Sequence, residues 1–210
     1  MLVNEIFYSI EGEGIRAGMP CVFVRLFGCN LNCSYCDTRY SCEGTDYTVM
    51  SVQEVVDAVE NFHCPNVTIT GGEPLIHSGI NTLLTTLVND GYKVNVETNG
   101  SVVPEIDGPI YTVDFKTKCS GMSDKMNVKA FTVLDRSDVV KFVVASIEDL
   151  EQALSFVEGN NIVANIFVSP VFGKIELSEI AEFLKKHRLY NWRMQIQLHK
   201  YIWEPTKRGV

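Results

Sequence analysis

Stretches patterned as strands and stretches patterned as helices alternate along almost the whole chain, and this alternation limits the fold more than any other feature. Strand-like runs fall at 4–10, 21–27, 67–70, 93–97, 111–115, 139–144, 162–168 and 193–198. Several are nearly continuous apolar, β-branched runs, the mark of strands covered on both faces. Between them lie helical patterns. Val52, Val55, Val56, Val59 and Phe62 follow a capping box, Ser51-Val52-Gln53-Glu54. Ile80, Leu83, Leu84, Leu87 and Val88 make a second helix, stopped by Gly91. Ile147, Leu150, Leu154 and Val157, capped by Ser146, make a third, and Leu177, Ile180, Ala181 and Leu184 a fourth. Alternation of this kind predicts parallel strands joined by crossovers. The connections over 98–110 and 116–138 show no helical periodicity, and a full eight-fold barrel needs about 250 residues, more than the 210 present. The expectation is an α/β fold: an abridged, partial (β/α) barrel of mostly parallel strands, in one domain over 1–210. Chemistry should gather at the C-terminal ends of its strands.

The charge balance removes some function classes. A net charge of −8 argues against a broad phosphate-binding surface, so no direct nucleic-acid partner is expected. The N-terminus has no basic leader pattern and no run approaches a membrane span, which points to a cytoplasmic protein without a membrane partner.

Three of the seven cysteines, Cys29, Cys33 and Cys36, crowd into eight residues just after the run 21–27. Such clustering reads as metal ligation rather than disulfides. Three thiolates at C-x3-C-x2-C spacing suit a [4Fe–4S] cubane with one iron open to chemistry. Two other readings remain at this point: a zinc site with an unseen fourth ligand, and a closed cluster that takes Cys42 as its fourth ligand. Cys21, Cys64 and Cys119 read as small core residues. Arg25 interrupts the apolar run that leads into the loop. An arginine there needs either a cavity or a buried anion. Gly71-Gly72-Glu73-Pro74 ends one strand, and Glu97-Thr98-Asn99-Gly100 ends the next.

The cysteine triad, with Tyr35 just before its third member, resembles the signature of the radical S-adenosylmethionine (SAM) superfamily, and the Gly71–Pro74 turn resembles that superfamily's motif for the methionine end of SAM. Over nearly its full length the chain resembles one family more closely, the 7-carboxy-7-deazaguanine synthases (QueE family). The likeness runs through Glu5-Ile6-Phe7-Tyr8-Ser9-Ile10-Glu11-Gly12-Glu13-Gly14, Arg25 ahead of Phe27-Gly28-Cys29, Cys36-Asp37-Thr38, and Gln197-Leu198-His199-Lys200-Tyr201.

This resemblance implies a carbon–nitrogen lyase of queuosine and 7-deazapurine biosynthesis. The family converts 6-carboxy-5,6,7,8-tetrahydropterin to 7-carboxy-7-deazaguanine, with hydrogen abstraction at C6 by a 5′-deoxyadenosyl radical, ring contraction and loss of ammonia. The implied cofactors are a [4Fe–4S] cluster on Cys29, Cys33 and Cys36, SAM, and Mg2+ held in part by Thr38. SAM would meet Tyr35, Asp37, Thr70, Gly71, Gly72, Glu73, Glu97, Asn99, Lys116 and Ser169. Substrate would meet Glu11, Glu13, Arg25, Gly72, His199 and Pro205, drawn from segments near both ends of the chain. Many members carry glutamine at the position of Glu11, and some end near the position of Pro205, whereas this chain continues through Thr206–Val210. By resemblance the partners are a flavodoxin or ferredoxin as electron donor and a second copy in a homodimer. The competing expectations are a glycyl-radical-enzyme activase, which would not need Arg25, His199 or the paired glutamates, and a non-enzymatic iron–sulfur or zinc module, which would have no use for Gly71, Gly72 or Glu97.

Overall fold

The computed structural model describes all 210 residues. One sheet collects nine strands: β1 (Leu2–Ile10), β2 (Pro20–Leu26), β3 (Thr48–Val49), β4 (Asn66–Gly71), β5 (Lys93–Thr98), β6 (Ile110–Phe115), β7 (Val139–Val144), β8 (Asn165–Pro170) and β9 (Trp192–Met194). Their order is β3-β1-β2-β4-β5-β6-β7-β8-β9. Pairing is parallel from β2 to β9, and β1 and β3 add antiparallel strands at one edge. The sheet stays open, with β3 and β9 at its edges, as a partial barrel requires. No helix is long and apolar enough to cross a membrane.

Helices α1 (Val52–Glu60), α2 (Ile80–Asn89), α4 (Ile147–Gly159) and α5 (Leu177–Lys186) stand where the periodicity predicts them. The Ser51 capping box forms, and the Ser146 side chain accepts from the Asp149 amide. Two further helices, α3 (Val128–Thr132) and α6 (His199–Ile202), are absent from the sequence reading. At five and four residues they complete little more than one turn, too little to print a 3.6-residue period. The last strand is also shorter than the run 193–198 implies, because the chain leaves the sheet after Met194.

Each parallel strand has one apolar face and one mixed face. Val22, Val24 and Leu26 of β2, Val67 and Ile69 of β4, Val94 and Val96 of β5 and Val113 of β6 join one core with the inward faces of α1 and α2. On the opposite face, alternate positions carry Arg25, Thr68, Thr70, Asn95, Glu97, Thr112, Asp114 and Lys141. Period-two alternation thus puts the oil behind the sheet and the polar groups inside the barrel.

Candidate active site

A cavity of about 470 Å3 lies within the open barrel, walled by the cysteine loop, the inner-face polar residues and segments from both ends of the chain. That volume is ordinary for a small-molecule site.

The cysteine loop starts where β2 ends, held down by backbone bonds. Gly28 N–H donates to Ser41 O at 2.7 Å, Gly72 N–H to Leu26 O at 3.0 Å and Glu73 N–H to Gly28 O at 2.8 Å. Gly71 and Gly72 allow this approach. A Cβ on Gly71 would stand 2.1 Å from Leu26 O, and one on Gly72 would stand 2.0 Å from Gly28 O. Their first requirement is therefore backbone against backbone, before any ligand. Glu73 is held by groups of the protein itself. It is fully buried, lies outside the cavity wall, and accepts from Leu75 N–H (2.9 Å), the Thr98 hydroxyl (2.6 Å) and Asn99 N–H (2.7 Å). Its carboxylate ties the glycine turn to the end of β5.

Cys29, Cys33 and Cys36 all line the cavity, and so does Cys42. The Cys42 thiol is the chief influence lowering the Cys29 and Cys36 thiols to about 6. No three His, Cys, Asp or Glu side chains are arranged around a single ion, as a mononuclear zinc site with three or four such ligands would need. Asn99 closes this end, its Nδ2 3.7 Å from Cys29 Sγ and 3.0 Å from Asn30 Oδ1. Tyr35 lines the same wall with Lys116 near its ring, and its buried hydroxyl has no partner in the protein.

Farther along the wall, Arg25 is set by three neighbours. Its Nε donates to Glu5 Oε1 at 2.7 Å, and its guanidinium lies over the rings of Phe7 and Tyr40. The Tyr40 hydroxyl donates to the same Glu5 oxygen at 3.1 Å. Only Nε finds a protein acceptor, so both terminal nitrogens of Arg25 remain for a ligand.

Two carboxylates arrive on the loop after β1. Glu13 accepts from Ser169 Oγ (3.2 Å), Gln197 Nε2 (3.3 Å) and Lys141 Nζ (3.4 Å). Burial opposes its charge, but Lys141 and Gln197 overcome burial and hold its carboxyl below the ordinary value. Ser169 is fully buried behind Glu13, outside the wall, and its hydroxyl donates to that carboxylate. Glu11 accepts from the Thr68 hydroxyl and sits 3.6 Å from Arg16. Burial, then the charge of Glu97, pushes it up to about 7. Near neutral pH it is partly a carboxylic acid and can donate as well as accept.

The two ends of the chain meet through Gln195, which the sequence reading overlooked. Its side chain accepts from Gly14 N–H at 2.8 Å and donates to Gly14 O at 3.0 Å, imitating a neighbouring strand. Leu198 N–H then donates to Gly12 O at 3.1 Å. His199, next in the chain, packs on Gly12 so closely that a Cβ there would lie 2.7 Å from Nδ1. Lys200 reaches Asp37 Oδ2 at 2.7 Å, and Thr38 donates to Asp37 Oδ1 at 2.8 Å. Pro205 and Thr206–Val210 all line the cavity, with Arg208 3.8 Å from the Tyr40 ring centroid and paired to Asp46 at 2.8 Å. The extension therefore forms part of the wall.

Asp114 and Lys141 complete the barrel interior. Asp114, also missed in the sequence, pairs with Lys116 at 3.0 Å and with Lys141 at 3.7 Å. A polar residue at every second position of otherwise apolar strands was the available signal.

An open, mostly parallel barrel with three cysteines beside a paired-glycine strand end defines a radical SAM enzyme, and the model of the radical SAM superfamily matches residues 24–107. Full-length relatives narrow the class. The 7-carboxy-7-deazaguanine synthase of Clostridium acetobutylicum is 43% identical, covering 99% of this chain and 98% of its own. That of Chlorobaculum tepidum is 42% identical, with 99% and 96% covered. The chain belongs to the 7-carboxy-7-deazaguanine synthase family. The fold agrees with the crystal structure of QueE from Escherichia coli, at a TM-score of 0.76 over 93% of both chains and 22% identity.

Membership carries a [4Fe–4S] cluster and SAM, and the site suits both. Three thiols face one cavity, without the arrangement that a single ion demands. The Cys42→Ala variant is expected to keep the iron content of the parent, measured after anaerobic reconstitution, while Cys33→Ala loses it. Iron lost equally from both would make Cys42 a ligand and close the cluster.

Proposed function

We propose that this protein converts 6-carboxy-5,6,7,8-tetrahydropterin to 7-carboxy-7-deazaguanine with loss of ammonia. The observation that carries the reading is the convergence of Arg25, Glu13 and His199, from opposite ends of the chain, on the cavity that holds Cys29, Cys33 and Cys36. An activase acting on a protein loop has no need of that set.

When bound, the cluster and SAM supply the electron and the carbon-centred oxidant needed to open a C–H bond. The chain's residues do the rest by position and charge. Arg25, gripped through Nε by Glu5, offers its free fork to the pterin carboxylate in a bidentate pair. Glu13, kept ionised, accepts N–H groups of the pterin, and Glu11 contributes an acceptor or, when protonated, a donor. Burial keeps His199 below its ordinary value, so at neutral pH it presents an uncharged ring to the substrate. Pro205 completes that end.

For SAM the wall provides Tyr35, Asp37, Thr70, Gly71, Gly72, Glu97, Asn99 and Lys116. Three interior carboxylates, Glu13, Glu97 and Asp114, face two ammonium groups, Lys116 and Lys141, an imbalance that favours a sulfonium cation. Mg2+ has the Thr38 hydroxyl as a hard donor. Asp37 beside it is partly claimed by Lys200, so Thr38 would be the main protein donor and oxygens of the substrate and water would supply the remaining ligands.

The test is direct. Anaerobic protein with a reconstituted cluster, reductant, SAM and Mg2+ is expected to form the carboxydeazaguanine from the carboxypterin, detected by mass. A loaded cluster that yields no product overturns the assignment.

A further inference from the structure

Lys141 is a buried lysine at the middle of β7 whose ammonium is shared rather than committed. It stands 3.4 Å from Glu13, 3.7 Å from Glu97 and 3.7 Å from Asp114, with the side chain 6% exposed. These three carboxylates come from three separate pieces of chain: the loop after β1, β5 and β6. Without a cation among them they would repel one another in a poorly solvated interior, and at least one would take up a proton or turn away. Glu13 and Glu97 serve different ligands in the function proposed above, on which this inference rests.

We propose that Lys141, on the wall of the same cavity, is the positioning residue for both halves of the site, drawing Glu13 into place for the pterin and Glu97 into place for SAM. One side chain thereby sets two binding sites whose ligands have nothing chemical in common. The charged groups that bear on the trio support that balance. Glu11 crowds Glu97 and Glu13 from one side, Lys116 and Arg25 offset the trio from β6 and β2, and His199 and Asp37 approach Glu13. Burial holds Glu97 above the ordinary carboxylate value, and Lys141 is the largest influence pulling it back down. Ser169 and Gln197 add donors to Glu13, whereas Glu97 accepts no side-chain hydrogen bond and has Lys141, at 3.7 Å, as its ion-pair partner.

The experiment uses cluster-loaded protein under anaerobic conditions without reductant, so nothing turns over. SAM and the carboxypterin are titrated separately into the parent, Lys141→Met, Lys141→Arg and the double variant Lys141→Met/Asp114→Asn. Lys141→Met is expected to weaken both ligands about tenfold at pH 7, with iron content unchanged, and to recover toward parent affinity by pH 9 as the carboxylates ionise again. Lys141→Arg keeps most of the affinity. The double variant, which removes an anion together with the cation, regains affinity for both ligands and stands in if the single variant does not fold. Weakening of one ligand only, a loss independent of pH, or a double variant no better than Lys141→Met would overturn the proposal. Should the parent fail to bind the carboxypterin, the functional reading fails, while the SAM titration still tests Lys141.

Discussion

Replacing Arg25 with lysine is expected to lower kcat/KM for the carboxypterin by about 100-fold or more, equivalent to roughly 3 kcal/mol of lost stabilisation in a desolvated charge pair. Lysine keeps the positive charge, so the loss isolates geometry. The arginine uses Nε on Glu5 and retains two coplanar nitrogens for the substrate carboxylate, and a single ammonium cannot fill both roles. Phe7 and Tyr40 further shape a slot for a flat cation. Reductive cleavage of SAM in the absence of substrate should stay near the parent rate, because the neighbours that set Arg25 are Glu5, Phe7 and Tyr40 and none is a cysteine. An equal fall in both rates would assign Arg25 to the fold or the cluster instead.

The second large effect is expected at Gly71. Its φ of +129° is one that side chains with a Cβ rarely adopt, and the added methyl would sit 2.1 Å from a backbone oxygen. Strain at such a residue is about 1–3 kcal/mol before any displacement of β2, so Gly71→Ala should destabilise the apoprotein by at least about 3 kcal/mol. For a domain of this size that is a fall in melting temperature of roughly 6–12 °C. The same displacement moves Gly28 and Cys29, so iron content after reconstitution should fall as well. Normal melting with normal iron would show that β4 and the cysteine loop can separate at little cost.

The two variants also mark what could be read in advance. Arg25 and the glycine pair were legible because their chemistry is conspicuous in an apolar strand or at a strand end. The strands and the four longer helices were legible because each completes several periods of its pattern. Glu73 and Ser169 were read as SAM contacts from the family resemblance, and the contacts the structure shows for them are with other residues of the site. Which way a strand-end side chain turns depends on partners far away in sequence, and a motif does not contain them. Asp114 and Gln195 went unnoticed for the converse reason. Each carries no motif, and its meaning lies wholly in a contact with another strand or the other end of the chain. Lys141 sits in a run of valines, but its three carboxylates are 27, 44 and 128 residues away, and only the folded chain assembles them.

Thr206–Val210 bears on how this protein should be handled. Purification tags, fluorophores and surface tethers are commonly attached after the last residue, on the assumption that a terminus is remote from the chemistry. Here anything attached after Val210 would start from the wall of the reaction chamber, two residues from the guanidinium stacked on Tyr40. The other end is a safer place to choose only in part, since Leu2 already belongs to the sheet and the Met1 ammonium is bonded to Met50. An internal surface turn, such as the exposed one at Tyr190, offers a handle that leaves both ends as they are.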